Sequence, residues 1–548
     1  MENVPKKPIE NVEFILSENY SVFVGHDGLK DNICFLGGCG VGKTRNGIKA
    51  NLCQLNSSCV IADPGGVLTA EMGHLFEEAG YQIKVHNTID LNKSMRYNPL
   101  HYVKSDKDIF RVVDAFLDSN SKSYDAAEAL FKNVERLCLS AIVSFVVDFG
   151  SPSEKNFDTV IEVVKSIYLL DSSTSISSLD VLFKIVAEGV YYAKKCKQDF
   201  NPETGEMEWL PGWIKSPHRA PKPNALCVRQ FKKFKNVCDA KTERAVLKSL
   251  YDRFSALDNT EFKDATAEDS LDLETLSEKK TVLFVIYAPN SKSPSFLSKI
   301  LIEQAYEVLF DKAYRNNCEK DTAGLEDKVP VVFYLDEFAM QFPISDFLQI
   351  LEMGPSCGVC TVFTSQSLSQ IRELYSNEAT LNDVFERCGY LVWMPAHFSV
   401  ELDSLSGTLL ASACIVQPSE ENKGIKLFEF LKPKGSTVGS VKGYSIKTIT
   451  ELPPLPQSDC YVLRWQHNGF FGFPDRKYDL DNHPNAEFLS KYHWGDKKDE
   501  NHFDIESLIT QGSSYKMRLQ KKLEGLKNQR EKLDARIEEV ENELKSLN

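Results

Sequence analysis

Short apolar runs alternate along this chain with longer stretches in which hydrophobic residues recur every three or four positions. Short runs rich in β-branched residues are typical of buried strands, whereas the longer spacing is typical of amphipathic helices. Strand–helix units repeated in this way predict an α/β fold built on a doubly wound, mostly parallel sheet. The predicted strands are residues 33–36, 59–62, 81–86, 281–288, 331–335, 361–364, 391–394 and 461–465.

One long region of helical spacing interrupts the strand signals. Residues 104–265 carry this pattern, with a helix expected over about 176–195 and a proline-rich loop over 198–224, so we expect an all-α insertion domain there. The rest of the chain is then divided into three parts. We expect an entry hairpin at residues 1–30, a split α/β core at 31–103 with 266–490, and a charged linker at 491–512.

The last segment, residues 513–548, has leucines and other aliphatic residues in alternating steps of four and three, flanked by Lys, Arg and Glu. This heptad pattern predicts a coiled-coil helix that associates with itself or with a partner helix. A single amphipathic helix lying on its own domain is the alternative.

Composition limits the class of protein. The 548 residues are 42% hydrophobic and 26% charged, which is ordinary for a globular protein of more than one domain. No apolar run is long enough to span a bilayer, and the N-terminus lacks a secretory signal, so we expect a cytoplasmic protein whose contact with a membrane comes through partners. The net charge of −14 argues against a broadly basic surface that coats nucleic acid, but it leaves room for a local basic channel.

A glycine-rich loop follows the first core strand and precedes a predicted helix. Residues 37–44 fit G-x-x-x-x-G-K-[ST], the pattern of a phosphate-binding loop. Its glycines let successive backbone N–H groups face an anion, and the helix N-terminus adds positive charge. We expect Lys43 to reach the β- and γ-phosphates of ATP, and Thr44 to bind Mg²⁺. The expected nucleotide contacts are Gly37, Gly38, Cys39, Gly40, Val41, Gly42, Lys43, Thr44 and Arg45.

Two later strand ends carry polar side chains that suit the same site. Asp336 and Glu337 follow an apolar run, which predicts Asp336 as a Mg²⁺ ligand and Glu337 as the general base that activates water. Gln366 ends the next strand, where its amide could contact the γ-phosphate or the attacking water. The alternatives are an acidic strand-end cap for the pair and a capped loop start for Gln366.

Taken in order, these motifs resemble the TraG-type coupling ATPases of type IV secretion and conjugation, in particular the versions on integrative elements of Gram-positive bacteria. The phosphate loop with Arg45, Asp63-Pro64, and the acidic pair carry the resemblance. Further matching stretches are Tyr97-Asn98-Pro99-Leu100, residues 127–141, residues 270–274, Ser365-Gln366-Ser367 to Gln370 with Tyr375, and Tyr478 with His483-Pro484-Asn485.

The resemblance implies a RecA-like motor with an inserted all-α domain, which forms a hexameric ring at the inner face of the membrane. Such a motor recruits a relaxase–DNA complex and feeds the DNA, expected here as a single strand, into the secretion channel by using ATP. Partners implied for this chain are therefore DNA, a relaxase with accessory transfer proteins, the type IV channel or its anchor subunit, and further copies of itself.

The sequence departs from this family at three places. The family usually begins with two membrane-spanning helices, which this chain does not show, so the expectation is either a soluble variant or a separate small protein that supplies the anchor. Residues 63–67 read Asp-Pro-Gly-Gly-Val, without the usual lysine and glutamate. Pro355 stands where the family usually has an arginine, and Arg372 and Arg387 are candidate substitutes.

The sequence therefore predicts an ATP-driven motor for DNA or nucleoprotein transfer. One alternative is an ATP-dependent factor that recruits a protein cargo without moving DNA. The other is a nucleotide-gated scaffold subunit with little turnover, which the altered turn and Pro355 would fit.

Overall fold

A computed structural model gives the fold of the chain. It describes residues 12–23, 32–118, 126–171, 177–201, 206–216, 220–288, 295–318, 329–337, 343–375, 381–394, 413–418, 444–448, 455–466 and 469–486, with Phe503, Ile505 and Leu508. The strands are β1 Glu13–Ile15, β2 Ser21–Phe23, β3 Ile33–Leu36, β4 Ser58–Pro64, β5 Gln82–Asn87, β6 Val190–Asn201, β7 Glu206–Lys215, β8 Thr281–Tyr287, β9 Val331–Leu335, β10 Val359–Ser365, β11 Tyr390–Trp393, β12 Cys414–Pro418, β13 Tyr444–Thr448, β14 Asp459–Gln466 and β15 Gly469–Arg476.

The first helix, α1, begins as a π-helix over Lys43–Lys49 and continues as an α-helix over Ala50–Leu52. The remaining α-helices are α2 Val67–Glu78, α3 Asp106–Asp118, α4 Ala126–Phe149, α5 Phe157–Asp171, α6 Ser178–Glu188, α7 Leu226–Val237, α8 Ala240–Ser255, α9 Thr260–Thr266, α10 Phe296–Cys318, α11 Phe347–Met353, α12 Leu368–Leu374 and α13 Leu381–Glu386.

Within the described residues, eleven strands form one sheet in the order β13-β12-β15-β14-β11-β3-β10-β9-β4-β8-β5. The seven strands from β11 to β5 are all parallel. Beyond β11 the sheet continues through the antiparallel neighbours β14 and β15, so β15 runs in the same direction as the parallel strands. The predicted α/β class with a doubly wound, mostly parallel sheet is confirmed.

Helices cover both faces of this sheet, as buried parallel strands require. The side chains of β3, β8, β9 and β10 are buried along their whole length, so each strand contributes to a core on either side. One core joins the sheet to α10 and the insertion helices. The other joins it to the β1–β2 hairpin, α1 and α2, and this hairpin is the entry hairpin that the sequence predicts.

The inserted region is mostly helical and packs on the core through aromatic rings. Phe296, the first residue of α10, contacts three rings of the insertion, with centroids 5.2 Å from Phe116, 5.7 Å from Phe157 and 6.2 Å from Phe262. Such ring pairs add to the free energy gained by burying apolar area. The insertion is therefore fastened to the helix that follows β8.

The prediction that this insertion is helical throughout is wrong at one place. Helix α6 ends at Glu188, and Gly189 then adopts a left-handed conformation, with φ of 64°. Strands β6 and β7 follow as an antiparallel hairpin where a longer helix and a loop were expected. In the register of this hairpin, Tyr191 stands opposite Ile214 and Tyr192 opposite Trp213, and aromatic and β-branched residues have high strand propensity, which explains the difference.

The linker predicted over residues 491–512 is also more than a spacer. Phe503 is buried on α2, and its backbone N–H donates a hydrogen bond to the Ala70 carbonyl at 3.3 Å. Its ring occupies the space that a β-carbon on Gly73 would need, since that atom would lie 2.2 Å from Phe503 Cγ. The predicted coiled coil at 513–548 lies outside the described residues.

Among the helices in the described part of the chain, none combines the length and the apolar character needed to cross a membrane.

Candidate nucleotide-binding site

The predicted site residues come from three adjacent strand ends. In the sheet, β10 lies between β3, which precedes the glycine-rich loop, and β9, which precedes Asp336. These strands are parallel, so their carboxyl ends meet at one edge, where open α/β sheets bind ligands. The Gly37 N–H donates to the Ser365 carbonyl at 3.1 Å, which ties the start of the loop to the end of β10.

The loop needs glycine at two positions for different reasons. Gly42 has φ of 95°, a left-handed conformation that residues with a β-carbon rarely adopt. Gly37 passes so close to the neighbouring chain that a β-carbon would lie 2.1 Å from the Met394 carbonyl oxygen. The motif glycines therefore serve a tight turn and a close backbone approach.

Lys43 is buried at the start of α1 and folds back over the loop. Its Nζ donates to the carbonyl oxygens of Gly37 at 2.6 Å and of Gly38 at 2.7 Å. Both acceptors belong to the loop itself, so the ammonium group already sits where the loop would enclose an anion. Phosphate oxygens carry full negative charge and are stronger acceptors for it than these carbonyls.

A hydrogen-bond network joins the loop to the acidic strand end. The Thr44 hydroxyl donates to Asp336 Oδ2 at 2.8 Å, and the Thr364 hydroxyl donates to Asp336 Oδ1 at 2.8 Å. Thr364 also accepts a hydrogen bond from the Glu337 N–H at 2.8 Å. Asp336 and Thr364 are both buried, so the network holds the carboxylate in one orientation beside Thr44.

Glu337 has an unusual backbone that turns its side chain toward β10. Its φ of 48° lies in the left-handed region, which is sparsely populated by residues other than glycine and common at functional sites. Gln366 Nε2 lies 3.5 Å from Glu337 Oε1. The predicted general base and the predicted amide sensor are therefore direct neighbours.

A third carboxylate, Asp63, stands at the end of β4 on the other side of β9. Its two oxygens accept hydrogen bonds from the Leu68 N–H at 3.0 Å and from the Thr69 N–H at 2.7 Å, so Asp63 holds the first turn of α2. Burial raises the pKa of Asp63, its hydrogen bonds to Thr69 and Leu68 oppose that rise, and the negative charge of Asp336 adds to it. The strand ends thus concentrate negative charge that a cation would stabilise.

The donor set fits Mg²⁺ with a nucleoside triphosphate. A hydroxyl and a carboxylate 2.8 Å apart are hard oxygen ligands, and Mg²⁺ needs few of them because it retains water and binds phosphate oxygens. No group of three or more His, Cys, Asp and Glu side chains that could hold a metal occurs in the described ranges. The residues present therefore fit a metal ion that also takes ligands from a bound nucleotide, rather than one held by protein side chains alone.

The other residues proposed for this site fall in different places. Cys39 is exposed at the tip of the loop. Arg45 points away from the acidic pair and forms an ion pair with Asp481 at 2.7 Å. Arg372 is exposed on α12, just after the edge that carries Gln366.

Pro355 and Arg387 lie at the opposite edge of the sheet. Pro355 is in a short turn before β10, and Arg387 precedes β11 and pairs with Glu352 at 3.1 Å. Because parallel strands begin at the edge far from their carboxyl ends, neither residue reaches the phosphate loop of its own chain. Of the two candidate substitutes for the missing arginine, only Arg372 follows a strand end at the loop's edge.

Sequence reasoning missed Thr364 and the C-terminal residues Lys477 and Asp481. Lys477 Nζ donates to the Val41 carbonyl of the loop at 3.0 Å. Thr364 could have been suspected as a threonine near the end of a buried strand. Lys477 and Asp481 gave no signal, since more than 430 residues separate each from its partner in the loop region.

The loop, the acidic pair and Gln366 thus meet at one edge of the sheet. A comparison with known protein families then shows which family the chain belongs to. Residues 4–401 match the family described as type IV secretory system conjugative DNA transfer. The chain belongs to this family. The resemblance inferred from the sequence is confirmed, and with it a role in conjugative DNA transfer.

Several solved structures resemble this conjugative DNA transfer protein. The bacterial conjugative coupling protein TrwB, unbound, is 13% identical over 84% of this chain and 87% of that chain, with a TM-score of 0.49. The plasmid coupling protein TrwB with ADP and Mg²⁺ is 13% identical over 84% and 88%, with a TM-score of 0.49. VirB4 of Thermoanaerobacter pseudethanolicus is 13% identical over 72% and 86%, with a TM-score of 0.35. A comparison with curated protein sequences gives no match.

Proposed function

We propose that this family member hydrolyses Mg-ATP at the described sheet edge and uses the energy to drive DNA into a type IV secretion channel. The observation that carries the proposal is the Thr44–Asp336 hydrogen bond of 2.8 Å, with Glu337 and Gln366 directly beside it. It brings a metal-binding pair and a candidate base together from strands far apart in sequence. The TrwB structure with ADP and Mg²⁺ supports the choice of cofactors.

Each residue has one role in this proposal. Lys43 releases the Gly37 and Gly38 carbonyls and binds the β- and γ-phosphates. Thr44 and Asp336 would hold Mg²⁺, and the bound ion would supply positive charge against the phosphate oxygens. Thr364 keeps Asp336 in its orientation.

Glu337 accepts the proton of the attacking water, and Gln366 orients that water or senses the γ-phosphate. The left-handed backbone of Glu337 and the N–H···Oγ bond to Thr364 fix the base relative to the metal-binding pair. This rigidity matters because a general base must lie within hydrogen-bond reach of the proton that it removes.

The DNA substrate is proposed to be single-stranded and relaxase-bound, and the working form a ring of several copies, as the family resemblance implies. The insertion and the predicted coiled coil are the proposed contacts for cargo and for partner subunits. The insertion packs on α10 at one face of the sheet, and Phe503 packs on α2 at the other.

Conjugation in donor cells tests the role in transfer. Cells that carry Lys43→Ala or Glu337→Gln should lose transfer of the element, while each variant still captures the relaxase from the donor. Retained transfer in Lys43→Ala cells would contradict an ATP-driven step. Lost relaxase capture in both variants would point to ATP-dependent recruitment as the main role.

A further inference from the structure

A segment near the C-terminus of the described chain, residues 477–485, packs against the phosphate loop and the helix α1 that follows it. Strand β15 runs parallel to β3, so its carboxyl end reaches the same edge of the sheet as the nucleotide site. Lys477 follows this strand, and its Nζ donates to the Val41 carbonyl at 3.0 Å and to the Gln457 carbonyl at 2.7 Å. The segment is thereby joined to the loop.

The next residues of the segment form a short turn at Leu480–Asn482. Asp479 accepts a hydrogen bond from the Asp481 N–H at 3.1 Å. Asn485 Nδ2 donates to the Cys53 carbonyl at 2.7 Å, which fastens the turn to the end of α1. Asp481 pairs with Arg45, yet the Asp481 side chain is 71% exposed and that of Arg45 is 44% exposed, so both remain accessible to a ligand.

The position of the turn relative to the metal-binding pair suggests which part of a nucleotide it meets. Asp336 lies on the β9 side of the loop, beyond β10, whereas β11, β14 and β15 lie on the opposite side. Asp336 would hold the cation that accompanies the terminal phosphates, so the γ end of a bound triphosphate would lie toward Asp336. The nucleoside end then leaves the loop on the side where Asp481 and Arg45 lie.

We propose that Asp481 and Arg45 form the nucleoside subsite of the ATP site, with Lys477 as the positioning residue that joins this subsite to the loop. A carboxylate accepts hydrogen bonds from ribose hydroxyls, and a planar guanidinium stacks on a purine ring. The ligand class is a purine ribonucleoside triphosphate. The inference rests on the proposed ATP site and adds to it the residues that recognise the nucleoside.

Binding of two probes separates nucleoside contacts from phosphate contacts. Dissociation constants of the full chain are measured with Mg²⁺ for ATP and for inorganic tripolyphosphate, which lacks a nucleoside. Asp481→Asn should weaken ATP binding about tenfold, as expected for loss of a charge-assisted hydrogen bond, and leave tripolyphosphate binding unchanged. Asp264→Asn, an exposed carboxylate on α9, is the matched control and should change neither value.

Lys477→Met tests the positioning role. It should weaken ATP and tripolyphosphate to a similar extent, because the loop that binds both loses its tether to the segment. Arg476→Met removes the same charge one residue earlier, from an exposed side chain, and should weaken neither probe.

The outcomes are distinct. If Asp481→Asn weakens both probes equally, the residue acts on the loop and the nucleoside subsite is refuted. If it weakens neither, Asp481 makes no contact with the nucleotide, which also refutes the subsite. Wild-type protein that binds neither probe would instead overturn the ATP site on which the subsite rests.

Discussion

At the scale of single residues, the site depends on a few side chains that the fold brings together. Lys43 could be selected from the sequence by its glycine-rich motif, and Asp336, Glu337 and Gln366 because each stands at the end of a predicted strand and has the chemistry of nucleotide hydrolysis. Thr364 could not, since its role depends on the register that places β10 between β3 and β9. The catalytic roles of all these residues stay predictions.

Glu337 gives the most selective prediction at this scale. Glu337→Gln keeps the size of the side chain but removes the base, so turnover should fall by a factor of about 10² to 10⁴ while ATP affinity is retained. Steady-state turnover and equilibrium nucleotide binding measure the two effects. Glu373→Gln, an exposed glutamate on α12, should match wild type in both. Undiminished turnover in Glu337→Gln would remove this residue from the mechanism.

Thr364 is predicted to act through Asp336. Thr364→Val deletes the hydroxyl that bonds both Asp336 and the Glu337 N–H, and a hydrogen bond to a charged group contributes about 1.5–3 kcal/mol. The Mg²⁺ concentration for half-maximal turnover should rise roughly tenfold, on the basis of about 1.4 kcal/mol per factor of ten. Thr364→Ser should restore it. A Mg²⁺ requirement that does not differ between the valine variant and wild type would contradict the network.

At the scale of secondary-structure elements, the core strands could be predicted from the sequence, whereas the β6–β7 hairpin and the contact of Phe503 with α2 could not. A run such as residues 281–288 is so apolar and so rich in β-branched residues that its sequence directly predicts a buried strand. The β6–β7 hairpin was missed because Pro211 and Gly212 favour a loop locally, whereas cross-strand pairing decides the structure. Gly73 and Phe503 were missed because their contact links α2 to a residue 430 positions later.

Gly73 is expected to hold the C-terminal segment on α2. In Gly73→Leu the new side chain competes with the Phe503 ring, so the segment should detach and become open to limited proteolysis between residues 487 and 512. Phe503→Ala should have the same effect through loss of the apolar contact. Phe23→Ala, at a ring that is 50% exposed, is the matched control. If cleavage in this region is equally fast in wild type, the anchor has no stabilising role.

Because His86 on the edge strand β5 is buried, we expect the stability of the fold to decrease in acid. Burial lowers its pKa from 6.5 to about 3, so the folded protein holds a neutral imidazole while the unfolded chain takes up a proton below pH 6.5. Stability contributed by this residue is therefore present above pH 6.5 and falls by up to about 1.4 kcal/mol per pH unit as the pH drops toward 3.

The comparison of wild type with His86→Gln isolates this effect. Their difference in free energy of unfolding, measured with denaturant, should be constant from pH 7 to 9 and should shift in favour of the variant as the pH falls from 6.5 to 5. A difference that stays constant across the whole range would contradict a buried neutral His86.

At the scale of the whole molecule, the sheet separates two surfaces. The insertion lies over one face, and α1, α2 and the Phe503 contact lie over the other, with the nucleotide site at the edge between them. The class of fold and the family were within reach of the sequence, because the order of motifs is itself a signature. The placement of the C-terminal segment against the phosphate loop was not, since no local pattern records a contact across more than 430 residues.

Hydrolysis at the Lys43 site is proposed to be coupled to DNA. ATPase turnover with and without single-stranded DNA, in wild type and in Lys43→Ala, tests it most directly. We expect a low basal rate in wild type that DNA raises, and no turnover above background in the variant under either condition. Turnover that is indifferent to DNA would contradict the motor and favour recruitment, and a wild-type chain without turnover would contradict ATP hydrolysis altogether.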